Sequence, residues 1–320
     1  QLRVLPDFLT LSEQIMCKIL VAGYAVVYWI PDGENHYLKC AGGSPANVAV
    51  GVARLGCEAG FIGRVLLDPL GKFMQETLNA ENVSTDHMIL DPTQRTSTVI
   101  VGLDNGERSI TFMVNPSADQ FLEVGDLPNF QAGDFLHCCS IALINDPSRS
   151  TTIEAIRRVK QSGGFFSFDP NLRDSLWASL EEMKTVGNDV VAMADILKFS
   201  EEELTLLTNT TTLDEATKVI TAQYPEKLII ITLGKDGAIY HFHCKSQVVA
   251  GKALKPVDTT GAGDAFVSGL LAGLSEVADW KDEAMLVNVI RKANASGALA
   301  TTAKGAMVAL PNKAQLEAFL

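Results

Sequence analysis

Short, continuous runs of apolar and β-branched residues recur along the chain, and segments with helical spacing of apolar residues lie between them. Strands that are apolar on both faces are buried on both faces, which is typical of a parallel sheet covered by helices. This alternation therefore predicts an α/β fold, a doubly wound α/β/α sandwich. The predicted strands are 18–27, 59–64, 135–140, 164–169, 196–199 and 228–232, and the predicted helices are 47–55, 70–81, 151–161, 213–223, 261–274 and 282–301.

One section of the chain has a different pattern. Segments 96–103 and 108–114 alternate polar with apolar residues, and the sequence Asp-Asn-Gly-Glu at 104–107 joins them. Alternation on both sides of an Asn-Gly pair predicts a β-hairpin with one face in water. We therefore expect a small antiparallel β lid beside the sandwich, with strands near 33–41 and 95–119. The alternative is an edge hairpin without a role.

Composition limits the possible partners of the protein. The formal net charge of −12 argues against binding to nucleic acid or to an anionic membrane, which requires clustered Lys and Arg. No apolar run reaches the roughly 18 residues that a membrane span requires. The six cysteines include no C-x-x-C pair, which favours a reduced cytoplasmic protein. Residues 1–16 carry no pattern and are interpreted as a leader or an expression remnant, so the predicted domain is 17–320.

The most informative string is DTTGAGDAF at 258–266, which opens a predicted helix. Gly261 and Gly263 leave backbone N–H groups accessible at the positive end of the helix dipole, where a phosphate or an oxyanion can bind. Asp264 would then lie beside the bound group, where a carboxylate can accept the proton of an attacking hydroxyl. The alternative is that Asp264 only caps the helix and the glycines only allow close packing. A string of this length favours the functional interpretation.

This string resembles the C-terminal signature of the ribokinase-like (PfkB) carbohydrate kinases, and AGGSPANVAVGVARLG at 41–56 resembles their N-terminal signature. The resemblance covers about residues 17–320. It implies a ribokinase-like fold and transfer of the γ-phosphoryl group of Mg-ATP to a sugar hydroxyl. The segments FDPNLR at 168–173 and NPSAD at 115–119 are similar to fructokinases, which implies that the sugar is D-fructose.

The resemblance also implies catalytic and sugar-binding roles for individual residues. Asp264 would be the general base, and the N–H groups of Gly261, Ala262 and Gly263 would stabilise the developing charge. Arg173 would add positive charge near the transferred group. The positions similar to sugar-binding residues of the family are Gly42, Gly43, Asn47, Tyr28, Arg173 and Asp264. The asparagine of this set could instead be a simple helix N-cap.

Nucleotide and ion sites are implied in the same way. Lys198 replaces an asparagine of the family beside the nucleotide, and Glu201 would act on the water shell of Mg²⁺. The other expected nucleotide-binding positions are Thr232, Gly234, Gly237, Thr260, Gly261, Gly263, Asn294 and Gly297. A monovalent cation, K⁺ in this family, would be bound by Asp258, Thr260 and the carbonyls of Ala300, Ala303 and Gly305. The expected cofactors are therefore ATP, Mg²⁺ and K⁺.

The first strand departs from the family pattern. The string GYAVVY at 23–28 places Tyr24 and Tyr28 where the family has acidic residues, the second of which binds sugar hydroxyls. We expect Tyr28 at the end of the first buried strand, at the carboxyl edge of the sheet, where open α/β folds bind ligands. Losing a charge-assisted bond to a hydroxyl would weaken sugar binding by roughly 10–150-fold.

Several alternatives remain open beside an ATP-dependent fructokinase. Within the same enzyme class they are a ribokinase, an aminoimidazole riboside kinase and a 2-keto-3-deoxygluconate kinase. The two tyrosines motivate a catalytically weak nucleotide-binding or regulatory protein on the same fold. An NAD-dependent oxidoreductase is disfavoured because the first strand lacks the G-x-G-x-x-G fingerprint. The expected partners are the sugar, ATP and, through the lid, a second copy of the chain.

Overall fold

The structure, a computed structural model, describes residues 17–104, 107–252, 254–277 and 279–320. The predicted leader at 1–16 and the central residues of the predicted hairpin turn, 105–106, lie outside the described residues. The strands are β1 (Ile19–Ala22), β2 (Val26–Pro31), β3 (Tyr37–Gly42), β4 (Ala59–Leu66), β5 (Val83–Asp91), β6 (Thr98–Asp104), β7 (Glu107–Met113), β8 (Phe135–Cys139), β9 (Phe165–Asp169), β10 (Ile196–Ser200), β11 (Leu228–Thr232), β12 (Gly237–Phe242) and β13 (Lys245–Ala250). The helices are α1 (Ser44–Arg54), α2 (Pro69–Ala80), α3 (Ser148–Gln161), α4 (Leu180–Met193), α5 (Glu201–Thr208), α6 (Leu213–Gln223), α7 (Ala262–Glu276), α8 (Glu283–Ala300) and α9 (Lys313–Phe319).

The core sheet of the described residues has nine strands in the order β13-β12-β11-β10-β9-β8-β1-β4-β5. Its neighbours are parallel except along β11, β12 and β13, which pair antiparallel at one edge. Successive side chains of β1 point to opposite faces. Ile19 and Val21 pack in a hydrophobic cluster with α1, α7 and α8, and Leu20 and Ala22 pack in a second cluster with α3 and α4. Helices cover both faces, so the predicted α/β/α sandwich is confirmed.

The predicted first strand, 18–27, is divided between two sheets. β1 ends at Ala22 in the core sheet, and β2 belongs to a separate small sheet. The chain changes direction at Gly23, where a Cβ atom would lie only 2.5 Å from Cγ of Pro45. Tyr28 therefore lies on β2 rather than at the end of the first core strand, and that placement was wrong. A continuous apolar run cannot by itself reveal a break of this kind, because both parts are buried.

The small sheet, here called the lid sheet, has the order β3-β2-β6-β7 in the described residues. The predicted hairpin is present as β6 and β7, and β3, near the predicted range 33–41, joins the same sheet through β2. The lid sheet is mixed rather than antiparallel, because β2 pairs parallel with β6. Its surface carries exposed apolar side chains, namely Tyr37, Leu38, Ile110 and Phe112.

Further elements were not predicted from the sequence. They are β5, the antiparallel edge strands β12 and β13, and the helices α4, α5 and α9. Within the described ranges, no helix combines the length and the apolar character needed to cross a membrane. The lid sheet leads directly into α1, because β3 ends at Gly42 and α1 begins at Ser44. This connection brings the N-terminal signature string to the edge of the core sheet.

Candidate active site

The C-terminal signature string forms the start of α7. Gly261, the residue before this helix, has a left-handed backbone with φ of 79°. A Cβ atom there would lie 2.9 Å from the Cα atom of Ala306, so only glycine fits both the conformation and the space. The N–H group of Ala262 donates to the carbonyl of Thr259 at 3.2 Å, and Gly263 is exposed. The predicted anion site therefore lies at an accessible helix N-terminus, with one of its three N–H groups bonded within the protein.

The carboxylate of Asp264 joins the two signature strings. It accepts hydrogen bonds from Oγ of Ser44 at 2.6 Å and from Nδ2 of Asn47 at 2.8 Å, one on each oxygen. Burial of the carboxylate raises its pKa to about 6, and these two donors oppose the rise because they stabilise the charged form. A carboxylate with a pKa of this value can act as a general base near neutral pH.

Asn47 also offers an acceptor to a ligand. Its amide Nδ2 is used by Asp264, whereas its Oδ1 atom is buried and has no hydrogen-bond partner among the described residues. A buried polar atom without a partner is costly, so a donor is expected there. A sugar hydroxyl next to Asp264 would supply one. Its predicted sugar contact stays a prediction.

Lys198 lies close to the same N-terminus of α7. Its Nζ atom is 3.2 Å from Oδ2 of Asp169, and a Cβ atom added to Gly263 would lie 3.6 Å from it. Burial alone would lower the pKa of Lys198, but the carboxylates of Asp169 and Glu203 outweigh burial and raise that pKa. The ammonium group is therefore charged and held next to the predicted anion site.

Sequence reasoning missed three members of this site. Ser44 and Asp169 stand within strings that were singled out for other residues, and Glu203 had not been considered. The Glu203 carboxylate accepts from the N–H groups of Ser200 and Leu172, and burial and the neighbouring Asp169 raise its pKa. Ser200 and Glu203 form a capping box, a pattern that was visible in the sequence.

The aromatic residues lie close to the candidate base. The ring of Tyr28 packs on Gly42, where a Cβ atom would lie 2.6 Å from Cε2 of the ring. Burial raises the pKa of Tyr28; the charge of Asp264 raises it further, and Arg173 lowers it. The Arg173 side chain is exposed and donates to the carbonyl of Leu172. Tyr28 thus lies on Gly42 and within electrostatic reach of both Asp264 and Arg173, and the predicted sugar contacts of these residues stay predictions.

Two segments carry the predicted cation ligands, and backbone bonds join them. The N–H groups of Val257 and Asp258 both donate to the carbonyl of Thr301, which follows Ala300 at the end of α8. The Asp258 carboxylate accepts from the N–H of Thr260 at 2.9 Å and from the N–H of Gly305 at 3.0 Å. The roles of Asp258, Thr260 and Gly305 as cation ligands stay predictions, as do those of Ala300 and Ala303.

The remaining predicted nucleotide residues lie around the β11–β12 turn and α8. Gly237 allows close approach of β13, because a Cβ atom there would lie 2.1 Å from the carbonyl oxygen of Val249. Asn294 donates from Nδ2 to that same carbonyl at 2.9 Å. These two residues therefore hold the sheet edge, and their nucleotide contacts stay predictions. The others lie as follows: Thr232 ends β11, Gly234 follows it, Gly297 packs against the carbonyl of Ala262, and Glu201 is exposed at the first position of α5.

The chain is similar to known sugar kinases over most of its length. The sequence model of the family described as pfkB family carbohydrate kinase matches residues 16–313. A fructokinase from Vibrio alginolyticus is 53% identical over 306 residues, which are 95% of this chain and 99% of the relative.

Solved structures are similar over the same extent. A crystal structure of fructokinase from Vibrio cholerae O395, in a form with fructose, ADP and calcium ion bound, has a TM-score of 0.89 and 53% identity, and covers 95% of this chain and 99% of that one. A double mutant of fructokinase from Vibrio cholerae O395, with fructose, ADP and potassium ion bound, also has a TM-score of 0.89 and 53% identity, with 95% and 98% covered. The similarity therefore extends across both the core sheet and the lid sheet.

Proposed function

Because this chain belongs to the pfkB family of carbohydrate kinases, we propose that it is a fructokinase, which transfers the γ-phosphoryl group of ATP to a hydroxyl group of D-fructose. The chain is a sugar phosphotransferase, as its two signature strings predicted. The fructokinase from Vibrio alginolyticus and the fructose-bound structure support fructose as the acceptor.

A single observation supports this function most directly. The carboxylate of Asp264, with its pKa of about 6, lies in the first turn of α7 beside the side chain of Asn47. The Oδ1 atom of Asn47 is buried and has no hydrogen-bond partner among the described residues. Asp264 would take the proton of the sugar hydroxyl while Asn47 accepts a hydrogen bond from a neighbouring hydroxyl. A base with a pKa near the working pH is ionised when the substrate arrives and can still hold the proton that it removes.

Positive groups surround the place where charge develops. The N-terminus of α7 contributes its dipole, Lys198 contributes a buried ammonium group, and Arg173 lies within electrostatic reach of the two tyrosines. Phosphoryl transfer requires positioning and charge stabilisation more than covalent chemistry. Preformed positive groups of this kind stabilise the transition state without reorganisation.

Ions complete the proposed site. Mg²⁺ bound to the phosphates would neutralise charge on ATP, and K⁺ would support the anion site. Asp258 and Thr260, with the carbonyls of Ala300, Ala303 and Gly305, would hold K⁺, since hydrogen bonds already join these two segments. Glu201 would reach Mg²⁺ through water. The fructokinase double mutant from Vibrio cholerae O395 was solved with ADP and potassium ion bound, which supports the K⁺ part of this proposal.

A weak or regulatory nucleotide-binding protein is the second candidate, and Tyr24 and Tyr28 favour it. Both phenols lie within electrostatic reach of Asp264, and burial raises the pKa of each, so they remain neutral at physiological pH. A neutral phenol is a poorer acceptor for sugar hydroxyls than a carboxylate. On this basis the protein would bind ATP but turn over sugar slowly.

Assembly and location are further parts of the proposal. The exposed apolar side chains of the lid sheet, Tyr37, Leu38, Ile110 and Phe112, would be covered in a homodimer formed through the lid. The free cysteines of the described residues favour a cytoplasmic location. Sedimentation of the purified protein would show whether a dimer forms, and Ile110→Asp should dissociate it.

A coupled assay of ADP release separates the candidate functions. The acceptors to be compared are fructose, ribose, 2-keto-3-deoxygluconate, aminoimidazole riboside and a nucleoside, each with Mg-ATP. Fructose should give the highest kcat/KM. ATP binding in a calorimeter without ADP release on any sugar would instead support the regulatory candidate.

A further inference from the structure

Ser44 begins α1, yet its hydroxyl does not cap that helix. The N-cap position is Gly43, and the Ser44 hydroxyl donates to Oδ1 of Asp264 on α7 at 2.6 Å. The serine is 8% exposed and lies between the lid sheet and the core sheet. Serine near a helix start usually bonds to its own backbone. Its bond to a side chain 220 residues away therefore needs a separate explanation.

A neighbouring thiol extends this hydrogen bond into a chain of three groups. Sγ of Cys139 lies 3.5 Å from Oγ of Ser44. Burial raises the pKa of Cys139 well above its ordinary value, so this thiol stays protonated and can donate to the serine oxygen. An ionised carboxylate only accepts, so the single Ser44 proton is directed to Asp264. Cys139, Ser44 and Asp264 thus form a chain in which each group donates to the next.

We propose that Ser44 is a positioning residue for the base Asp264, and that it acts together with Asn47 to hold the carboxylate by one bond to each oxygen. With one acceptor position of each oxygen occupied by α1, the carboxylate is fixed in a single orientation, and its remaining acceptor positions are available to the sugar hydroxyl. A base held in place loses less entropy when the reaction occurs. The catalytic role of Ser44 rests on the proposed function, whereas its bond to Asp264 does not.

Several charged or titratable groups face Asp264 from the surrounding elements. The charge of Asp169 raises the pKa of Asp264, and Lys198 lowers it. Tyr24, Tyr28 and Cys139 are neutral at physiological pH because burial raises their pKa values. Ser44 is the largest influence that lowers the pKa of Asp264, followed by Asn47. Removing the Ser44 hydroxyl should therefore raise this pKa and leave the other groups in place.

The kinetic test compares Ser44→Ala with wild-type enzyme over pH 5 to 9. In the variant, the acid limb of the pH profile of kcat/KM should move to higher pH by about one unit. On the alkaline plateau of the profile, kcat should fall by about 3–30-fold. KM for fructose and for ATP should stay within about twofold. Ser44→Thr, which restores a hydroxyl, should return the limb toward its wild-type position. An unmoved limb together with unchanged kcat would overturn the proposal.

The matched control is Ser148→Ala at the start of α3. Ser148 is also buried, and its hydroxyl bonds to the carbonyl of Ala142 at 3.0 Å, away from Asp264. This variant should lose stability by an amount that does not change with pH, and its kinetic pH profile should match the wild type. A shifted limb in the control would mean that general loosening of the fold moves the profile, which contradicts a specific role for Ser44.

A stability measurement decides on the Ser44–Asp264 bond without any sugar. The folded pKa of Asp264, about 6, lies above its ordinary value of 3.8, so its contribution to stability is fully present below pH 3.8 and is lost as pH rises through 6. Without the Ser44 donor this loss becomes larger. The gap in urea midpoint between Ser44→Ala and wild type should therefore be wider at pH 8 than at pH 5.

The kinetic test and the stability test can fail independently of each other. If the wild-type protein phosphorylates no sugar, the proposed function fails, and the urea midpoints still decide whether Ser44 bonds to the Asp264 carboxylate. If the midpoint gap is the same at both pH values, the bond is absent and the proposal is wrong. Should Ser44→Ala not fold, Ser44→Cys replaces it, because a thiol is a weaker donor than a hydroxyl. Its acid limb should also lie at higher pH than that of the wild type, and its gap in urea midpoint should also be wider at pH 8 than at pH 5.

Discussion

Replacing Asp264 with asparagine should slow the enzyme and stabilise the protein at the same time. The pKa of Asp264 is about 6 against an ordinary 3.8, so keeping the carboxylate ionised in the folded state costs about 3 kcal/mol at pH 8. Asparagine has nearly the same shape and carries no charge. Its amide can still accept from Ser44, but its Nδ2 group then meets the Nδ2 donor of Asn47, which costs about 1–3 kcal/mol.

The net expectation is that Asp264→Asn gains about 1 kcal/mol in the free energy of unfolding at pH 8. Below pH 4 the wild-type carboxyl is protonated in both states and no longer costs stability, so only the opposed amide groups count and the variant should be less stable than the wild type by about 1–3 kcal/mol. Over the same range kcat should fall by about 10²–10⁴, the usual effect of losing a positioned base, while ATP binding stays near normal.

Urea unfolding at pH 4 and pH 8, with ADP release measured on the same preparations, tests both halves. A variant that keeps more than half of the wild-type turnover would refute the assignment of Asp264 as the base. A variant whose stability relative to the wild type is the same at pH 4 and at pH 8 would show that the carboxylate is not buried at a cost, and the pKa reasoning would fail.

Three further predictions concern the groups around this carboxylate. Lys198→Met should lower kcat at least a hundredfold and destabilise the protein by about 3–5 kcal/mol, because Asp169 and Glu203 lose their buried partner. ADP release measures the first effect and urea unfolding the second, and a stable, active variant would contradict the prediction. Tyr28→Asp should lower KM for fructose about tenfold with a smaller change in KM for ATP, and an unchanged KM would mean that Tyr28 only packs on Gly42. Replacing Na⁺ by K⁺ at constant ionic strength should raise activity through the Asp258 site, and equal rates in both salts would remove the cation from the mechanism.

The sequence predicted best those strands and helices whose pattern of apolar residues is regular. The strand at 228–232 and the helix at 213–223 have the predicted bounds in the structure, because continuous apolar runs and a regular helical spacing each have one interpretation there. β12 and β13 were not predicted; β13 is an edge strand whose residues are exposed except for Val249, so its apolar pattern is weak. α5 was not predicted because it has only eight residues, and three glutamates occupy its first turn. Few positions are left in which a helical spacing of apolar residues could be recognised.

The candidate site was predictable where one string supplies its residues and unpredictable where distant strings meet. Asp264 follows from the string around it. Its partners could not be derived in the same way, because a hydrogen bond between Ser44 and Asp264 depends on how α1 and α7 pack. The place of Tyr28 was wrong for the same reason, since the apolar run does not show that β1 ends at Ala22 and that β2 belongs to another sheet.

The pKa of Asp264 results from opposing contributions that come from different parts of the chain. Burial raises it most, Ser44 and Asn47 lower it, Asp169 raises it and Lys198 lowers it. Without the two α1 donors the carboxylate would have a higher pKa and would hold its proton more tightly. With stronger donors it would be too weak a base to take a proton from a hydroxyl. The contact between α1 and α7 therefore sets the reactivity of the base as well as its position.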